Sequence, residues 1–189
     1  MRKKICVSVA IFCVSGFAAA DIDLTPEPSV RELEGCKFPQ LEFRDGSKKI
    51  AYEIPTGWKY ESRDKHTLAM FPQGKVMASA KIEYLPTPKT LILDEEQLKQ
   101  FKDYAVTFLP LESRVLVEPT VSPNPLLLNG HATCELDILF LLHSHRMHTS
   151  ILLVDLGDSQ LRFTLMSRAS DFLDLQKVFR QSWYSWQWL

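Results

Sequence analysis

The chain has 189 residues, with 22 lysines and arginines against 23 aspartates and glutamates, a formal charge of −1 at pH 7. A near-neutral chain without a lysine or arginine run lacks the electrostatic footprint that neutralising phosphates demands, which excludes nucleic acid as a partner. Its length suits one domain with a real hydrophobic core.

Arg2, Lys3 and Lys4 precede an apolar run from Ile5 to Phe17, and Ala18, Ala19 and Ala20 supply the small residues a signal peptidase needs before Asp21. This pattern predicts a cleaved signal peptide over residues 1–20. A membrane-spanning helix needs about 20 apolar residues, and Asp21 and Asp23 restore charge too soon, so no transmembrane segment is expected after cleavage. Loss of the three basic residues leaves 19 basic against 23 acidic side chains, a formal charge of −4. The expected location is periplasmic or secreted.

Residues 21–40 carry Pro26, Pro28 and Pro39 with scattered charge and no sustained period, which predicts a weakly ordered arm. A single α+β domain is expected over residues 41–189. "KIAYEIPTGWKYES" offers two short extended runs with Pro55-Thr56-Gly57 as turn chemistry between them. "HTLAMFP" is a third strand and Val76 to Leu85 a fourth, where Val76, Ala78, Ala80, Ile82 and Tyr84 share one face and Ser79, Lys81 and Glu83 the other.

The period then changes. Asp94 with Gln97 forms a capping signature, and Leu98, Phe101, Ala105 and Phe108 recur at helical spacing until Pro110. A proline-rich loop from Pro119 to Pro125 leads to Asn129-Gly130 as a turn. The 37 residues from His131 to Ser167 predict three antiparallel strands. In the second hairpin the turn Leu156-Gly157-Asp158-Ser159 sets Val154 opposite Leu161 and Leu152 opposite Phe163. Ser170 is expected to cap a last helix with Phe172, Leu175, Phe179 and Trp183 on its inner face.

Strands, helix, strands and helix without βαβ alternation predict an α+β fold: an antiparallel sheet sandwiched by two amphipathic helices. "IPTGWKY", a strand pair, a long helix, a meander beginning "NGHATCELD" and a closing helix "DFLDLQKVFRQSW" together resemble the PsbP-like family, which includes DcrB-type periplasmic proteins. The resemblance covers roughly residues 50–183. It implies a PsbP-like fold and a non-catalytic binding or assembly role, and it transfers no active-site residue.

Four groups of residues carry chemistry. Cys36 and Cys134 outlast signal cleavage, and an oxidising compartment would let them close a disulfide worth roughly 4 to 5 kcal/mol across a loop of about 100 residues. The alternative is that Cys134, which alternates with Leu136 and Ile138, is a small core residue. Glu135 and Asp137 share a strand face about 7 Å apart, a spacing acid/base carboxylates use, but no nucleophile motif such as G-x-S-x-G accompanies them.

His143, His145 and His148 stand within six residues. With His145-Arg146 as a two-residue turn, His143 and His148 would face each other at about 5 Å, close enough to clasp an ion. His-Arg is poor chemistry for that turn and a third ligand is lacking, so the expected reading is a plain hairpin end. Finally, "SWYSWQWL" holds Trp183, Trp186 and Trp188, either packed back as a terminal clasp or exposed as a partner surface. The expected function is a non-enzymatic, cofactor-free exported factor that binds or assembles another envelope protein, with Trp186 and Trp188 or the histidines as candidate binding residues. The alternative is a metal-binding or metal-delivery protein that uses His143, His145 and His148.

Overall fold

The computed structural model describes residues 21–86 and 95–189, so the expected signal peptide and the Asp94 cap lie outside the described residues. Within them are twelve strands and two helices: β1 (Ile22–Leu33), β2 (Cys36–Asp45), β3 (Lys48–Tyr52), β4 (Trp58–Asp64), β5 (Thr67–Pro72), β6 (Ser79–Leu85), α1 (Glu95–Val106), β7 (Arg114–Val115), β8 (Thr120–Leu128), β9 (His131–Leu142), β10 (His145–Asp155), β11 (Gln160–Arg168), α2 (Phe172–Trp183) and β12 (Gln187–Trp188). No helix among the described residues is long and apolar enough to cross a membrane.

The strands form two antiparallel sheets. A large sheet runs β4-β5-β6-β11-β10-β9-β7, with β8 also paired to β9, and a small sheet runs β1-β2-β3-β12. The loop holding Pro55-Thr56-Gly57 therefore joins two sheets and does not close a hairpin. Gly57 adopts φ of 79°, a left-handed conformation that suits glycine.

Period-two alternation in the large sheet fills both of its faces. Leu152 and Val154 of β10 point into one buried cluster with Leu161, Phe163 and Leu165 of β11, Phe172, Leu175, Phe179 and Trp183 of α2, and Phe43, Ile50 and Tyr52 of the small sheet. Met147, Ile151 and Leu153 of β10 point the other way, against Cys134, Leu136, Ile138 and Phe140 of β9 and Phe101 and Ala105 of α1. The fold is thus α+β and mostly antiparallel sheet. The expectation of one sheet shielded by two helices is corrected on one side, where α2 shares the cover with the small sheet.

Four local expectations also change. Residues 21–40 form β1 and the first half of β2, because the prolines occupy positions that spare the ladder. The proline-rich loop is strand β8, paired from Thr120 to Leu128 with β9. Val76 lies outside β6 and is fully exposed. At α2 the N-cap is Asp171 without a side-chain capping bond; its carboxylate instead accepts from Lys75 Nζ at 2.7 Å, and Ser170 makes no cap. The four apolar residues expected on the inner face of α2 are all buried.

Candidate functional site

The β9–β10 turn decides the fate of the histidines. His143 and Ser144 have φ of 46° and 68°, so they are the two central residues, and Leu142 pairs with His145. This turn lies two residues earlier than the His145-Arg146 expectation. The β9–β10 register, which faces Phe140 with Met147 and Leu136 with Ile151, overrides the poor turn chemistry of His-Ser. His148 consequently pairs with Leu139, and the His143–His148 clasp does not form. His143 Nδ1 sits 3.6 Å from Glu112 Oε2 in an exposed turn, and His145 is exposed. Among the described residues no three histidine, cysteine, aspartate or glutamate side chains gather at metal-binding distance.

His148 instead joins the two carboxylates. Its ring stacks on Phe172 of α2 with centroids 3.6 Å apart, and its Nε2 lies 3.5 Å from Asp137 Oδ1. Glu135 Oε1 accepts from Ser150 Oγ at 2.8 Å and from Arg180 Nε and Nη2 at 3.0 and 2.6 Å. Gln176 Nε2 bridges the pair, 3.4 Å from Glu135 Oε1 and 3.3 Å from Asp137 Oδ1. Gln176 and Arg180 follow Phe172 at helical spacing, so this polar stripe and the apolar stripe of α2 emerge from one periodicity. The group opens onto a cleft of about 370 Å³ bounded also by Val117, Leu139 and Leu173. A carboxylate saturated by donors is a poor general base, and Ser150, fully buried, bonds Glu135 and not His148. The arrangement fastens α2 to β9.

The two cysteines among the described residues, Cys36 and Cys134, are both free. Cys36 is exposed at the start of β2, whereas Cys134 is fully buried under α1, which corrects the expected Cys36–Cys134 disulfide and favours the small core residue. Burial pushes the Cys134 thiol up to about 11, with Glu135 beside it acting in the same direction, so it is no nucleophile at neutral pH.

Trp186 is wholly buried, with ring centroids 5.5 Å from Phe43, 5.9 Å from Tyr52 and 5.5 Å from Phe163. Trp188 lies in β12, where its Nε1 donates to Asp45 Oδ2 at 2.9 Å. Leu189 N adds a bond to Lys49 O at 2.8 Å, and Asn129 Nδ2 donates to Trp186 O. The aromatic stretch is a clasp between the sheets and not an exposed platform.

The exposed apolar surface lies elsewhere. Glu34 and Gly35, with φ of 51° and 79°, turn β1 into β2, and Val30, Leu33 and Phe38 near that turn are 59%, 54% and 38% exposed. Of these, Val30 and Phe38 line a groove of about 580 Å³ with Pro39, Ile54, Pro55, Trp58 and Tyr60, between the hairpin and the loop before β4. Trp58 stacks on Phe179 at 5.8 Å, and Arg31 Nη2 meets Glu53 Oε1 at 2.6 Å, which ties β1 to the loop before β4. Sequence reasoning missed this groove because the prolines of residues 21–40 masked a strand. The signal was present in Val30, Leu33 and Phe38, apolar residues with no helical or core period to explain them.

No protein-family model matches the chain, and no curated protein matches it in sequence. Solved structures similar to it include a Pseudomonas aeruginosa protein of unknown function described as a candidate regulator, at 15% identity and a TM-score of 0.47, covering 83% of this chain and 94% of that one. They also include the cyanobacterial PsbP protein of Synechocystis, at 11% identity and a TM-score of 0.47, covering 73% of this chain and 85% of that one.

Proposed function

We propose that this is an exported, non-catalytic binding protein whose β1–β2 hairpin and the loop before β4 hold an extended apolar segment of another envelope protein. The observation that carries the reading is the groove itself: aromatic and aliphatic side chains exposed together on a rigid frame mark interaction sites. The edge of β1 adds backbone groups. Because Leu33 and Cys36 flank a two-residue turn with two positive φ values, residues 33, 31 and 29 bond to β2, and the N–H and C=O of Val30 and Glu32 point away from it. Among the described residues β1 ends its sheet, which offers those groups to a partner strand. The basic, apolar and alanine-rich start of the sequence supports export.

The test places a photo-crosslinking amino acid at Val30, and separately at Lys177 on the outer face of α2, in the full chain expressed in cells. The expected result is a discrete protein adduct from position 30 alone that Phe38→Asp abolishes. Adducts that form equally from both positions, or that survive Phe38→Asp unchanged, would refute the assignment.

A further inference from the structure

The α1 side of the large sheet is covered unevenly. α1 packs on β8 and β9, while the β6 and β11 part of that face presents Ser79, Lys81, Glu83, Arg162 and Thr164, the alternation expected of a solvent-facing surface. It is not left open. The chain after α1 folds Phe108, Leu109 and Pro110 over it, with Ile151 and Met166 as further apolar wall, and bounds a half-open cavity of about 270 Å³.

The charges inside do not balance. Glu83 Oε2 accepts from Arg162 Nε at 3.0 Å and Nη2 at 2.9 Å, so one carboxylate faces two cations, Arg162 and Lys81, on this surface. The Arg162 guanidinium is itself held in place, 3.9 Å from the centroid of the Phe108 ring and with only 12% of its side chain exposed. Lys81, half-buried on the neighbouring strand position, has no carboxylate partner among the described residues. Among the described residues one positive charge is left over beside a largely apolar, half-open cavity, where a charge partly withdrawn from water favours an anionic partner.

We infer that this cavity binds a small amphipathic carboxylate, its anionic end on Lys81 and its apolar body under Phe108, Leu109 and Met166. The volume admits a body of about nine water-sized groups, at roughly 30 Å³ each. A cation is disfavoured by Lys81 and Arg162, and a neutral molecule leaves Lys81 unpaired.

Octanoate is the probe, with 1-octanol as its neutral counterpart, each titrated into the full mature chain with isotopically labelled methionine methyl groups and followed by NMR. Octanoate is expected to shift the Met166 methyl saturably while the buried Met70, on the other face, stays in place. 1-Octanol should bind at least about tenfold more weakly. Lys81→Met should weaken octanoate about tenfold and leave 1-octanol unchanged, and Lys81→Arg, which keeps the charge, should restore most of the affinity. The inference fails if Met166 does not respond, if Met70 moves in parallel as in indiscriminate surfactant binding, or if Lys81→Met binds octanoate as the parent does.

Discussion

Trp186→Ala tests the clasp directly. The side chain is fully buried and touches Phe43 and Tyr52 of the small sheet and Phe163 of the large one, so its loss empties the seam between the two layers. Deleting a buried tryptophan costs about 3 to 5 kcal/mol, against a total of about 5 to 15 for a domain. At roughly 2 to 4 °C per kcal/mol for a chain of this size, the melting temperature should fall by about 10 °C. The indole Nε1, however, is buried without an acceptor among the described residues. An orphan donor carries a penalty of about 1 to 3 kcal/mol, so Trp186→Phe, which removes it and leaves only a small void, should remain within about 1 kcal/mol of the parent. Urea unfolding followed by near-ultraviolet circular dichroism measures both variants. A loss below 1 kcal/mol for Trp186→Ala at an unchanged denaturant slope would show that the aromatic stretch does not join the layers.

Three further outcomes follow from the geometry. In a chain that starts at Asp21, a thiol reagent should label Cys36 at once and reach Cys134 only on unfolding, since the one is exposed and the other is buried with its thiol pushed up to about 11; one fast and one unfolding-limited equivalent by mass spectrometry is the expected pattern. Burial raises the Tyr52 phenol well above its ordinary value, with Ser182 Oγ 2.8 Å away opposing this less strongly. Its folded value thus exceeds the unfolded one, so the stability it contributes is complete below pH 10 and is lost as the pH rises beyond; tyrosinate absorbance should show one residue ionising only with unfolding. A zinc titration should leave the melting temperature unchanged because the His143–His148 clasp is not formed, while His148→Ala lowers stability by about 1 kcal/mol through the lost stack on Phe172, which denaturant melts would register.

The legible parts of the fold are those where side-chain period and turn chemistry agree. The β10–β11 register follows Gly157, and Val154 faces Leu161 as read from the turn. Asn129 and Gly130 both take positive φ where the sequence puts a turn, and α2 buries the residues its spacing selects. Where the two signals conflict, packing wins: the Phe140–Met147 and Leu136–Ile151 pairs fix β9 against β10 and force a turn on His143 and Ser144. The first hairpin was hidden for a different reason. Pro28 and Pro39 sit where their nitrogens face away from the β1–β2 ladder, and β3 reaches β2 only from Leu41, while Pro26 falls in the register shift between Asp23 and Glu27. A proline costs nothing at an edge, but position in a sheet is not written in the proline itself. The same holds for the polar group on α2, since Glu135 and Asp137 could be placed on one face from sequence, whereas Gln176 and Arg180 meet them only once α2 docks.

Trp186 comes later in the chain than every other residue of the core it completes. A polypeptide emerging from a ribosome, or threaded stepwise through a narrow translocation channel, cannot seal that core until this indole has cleared the exit. Until then the seam between the two layers stays open.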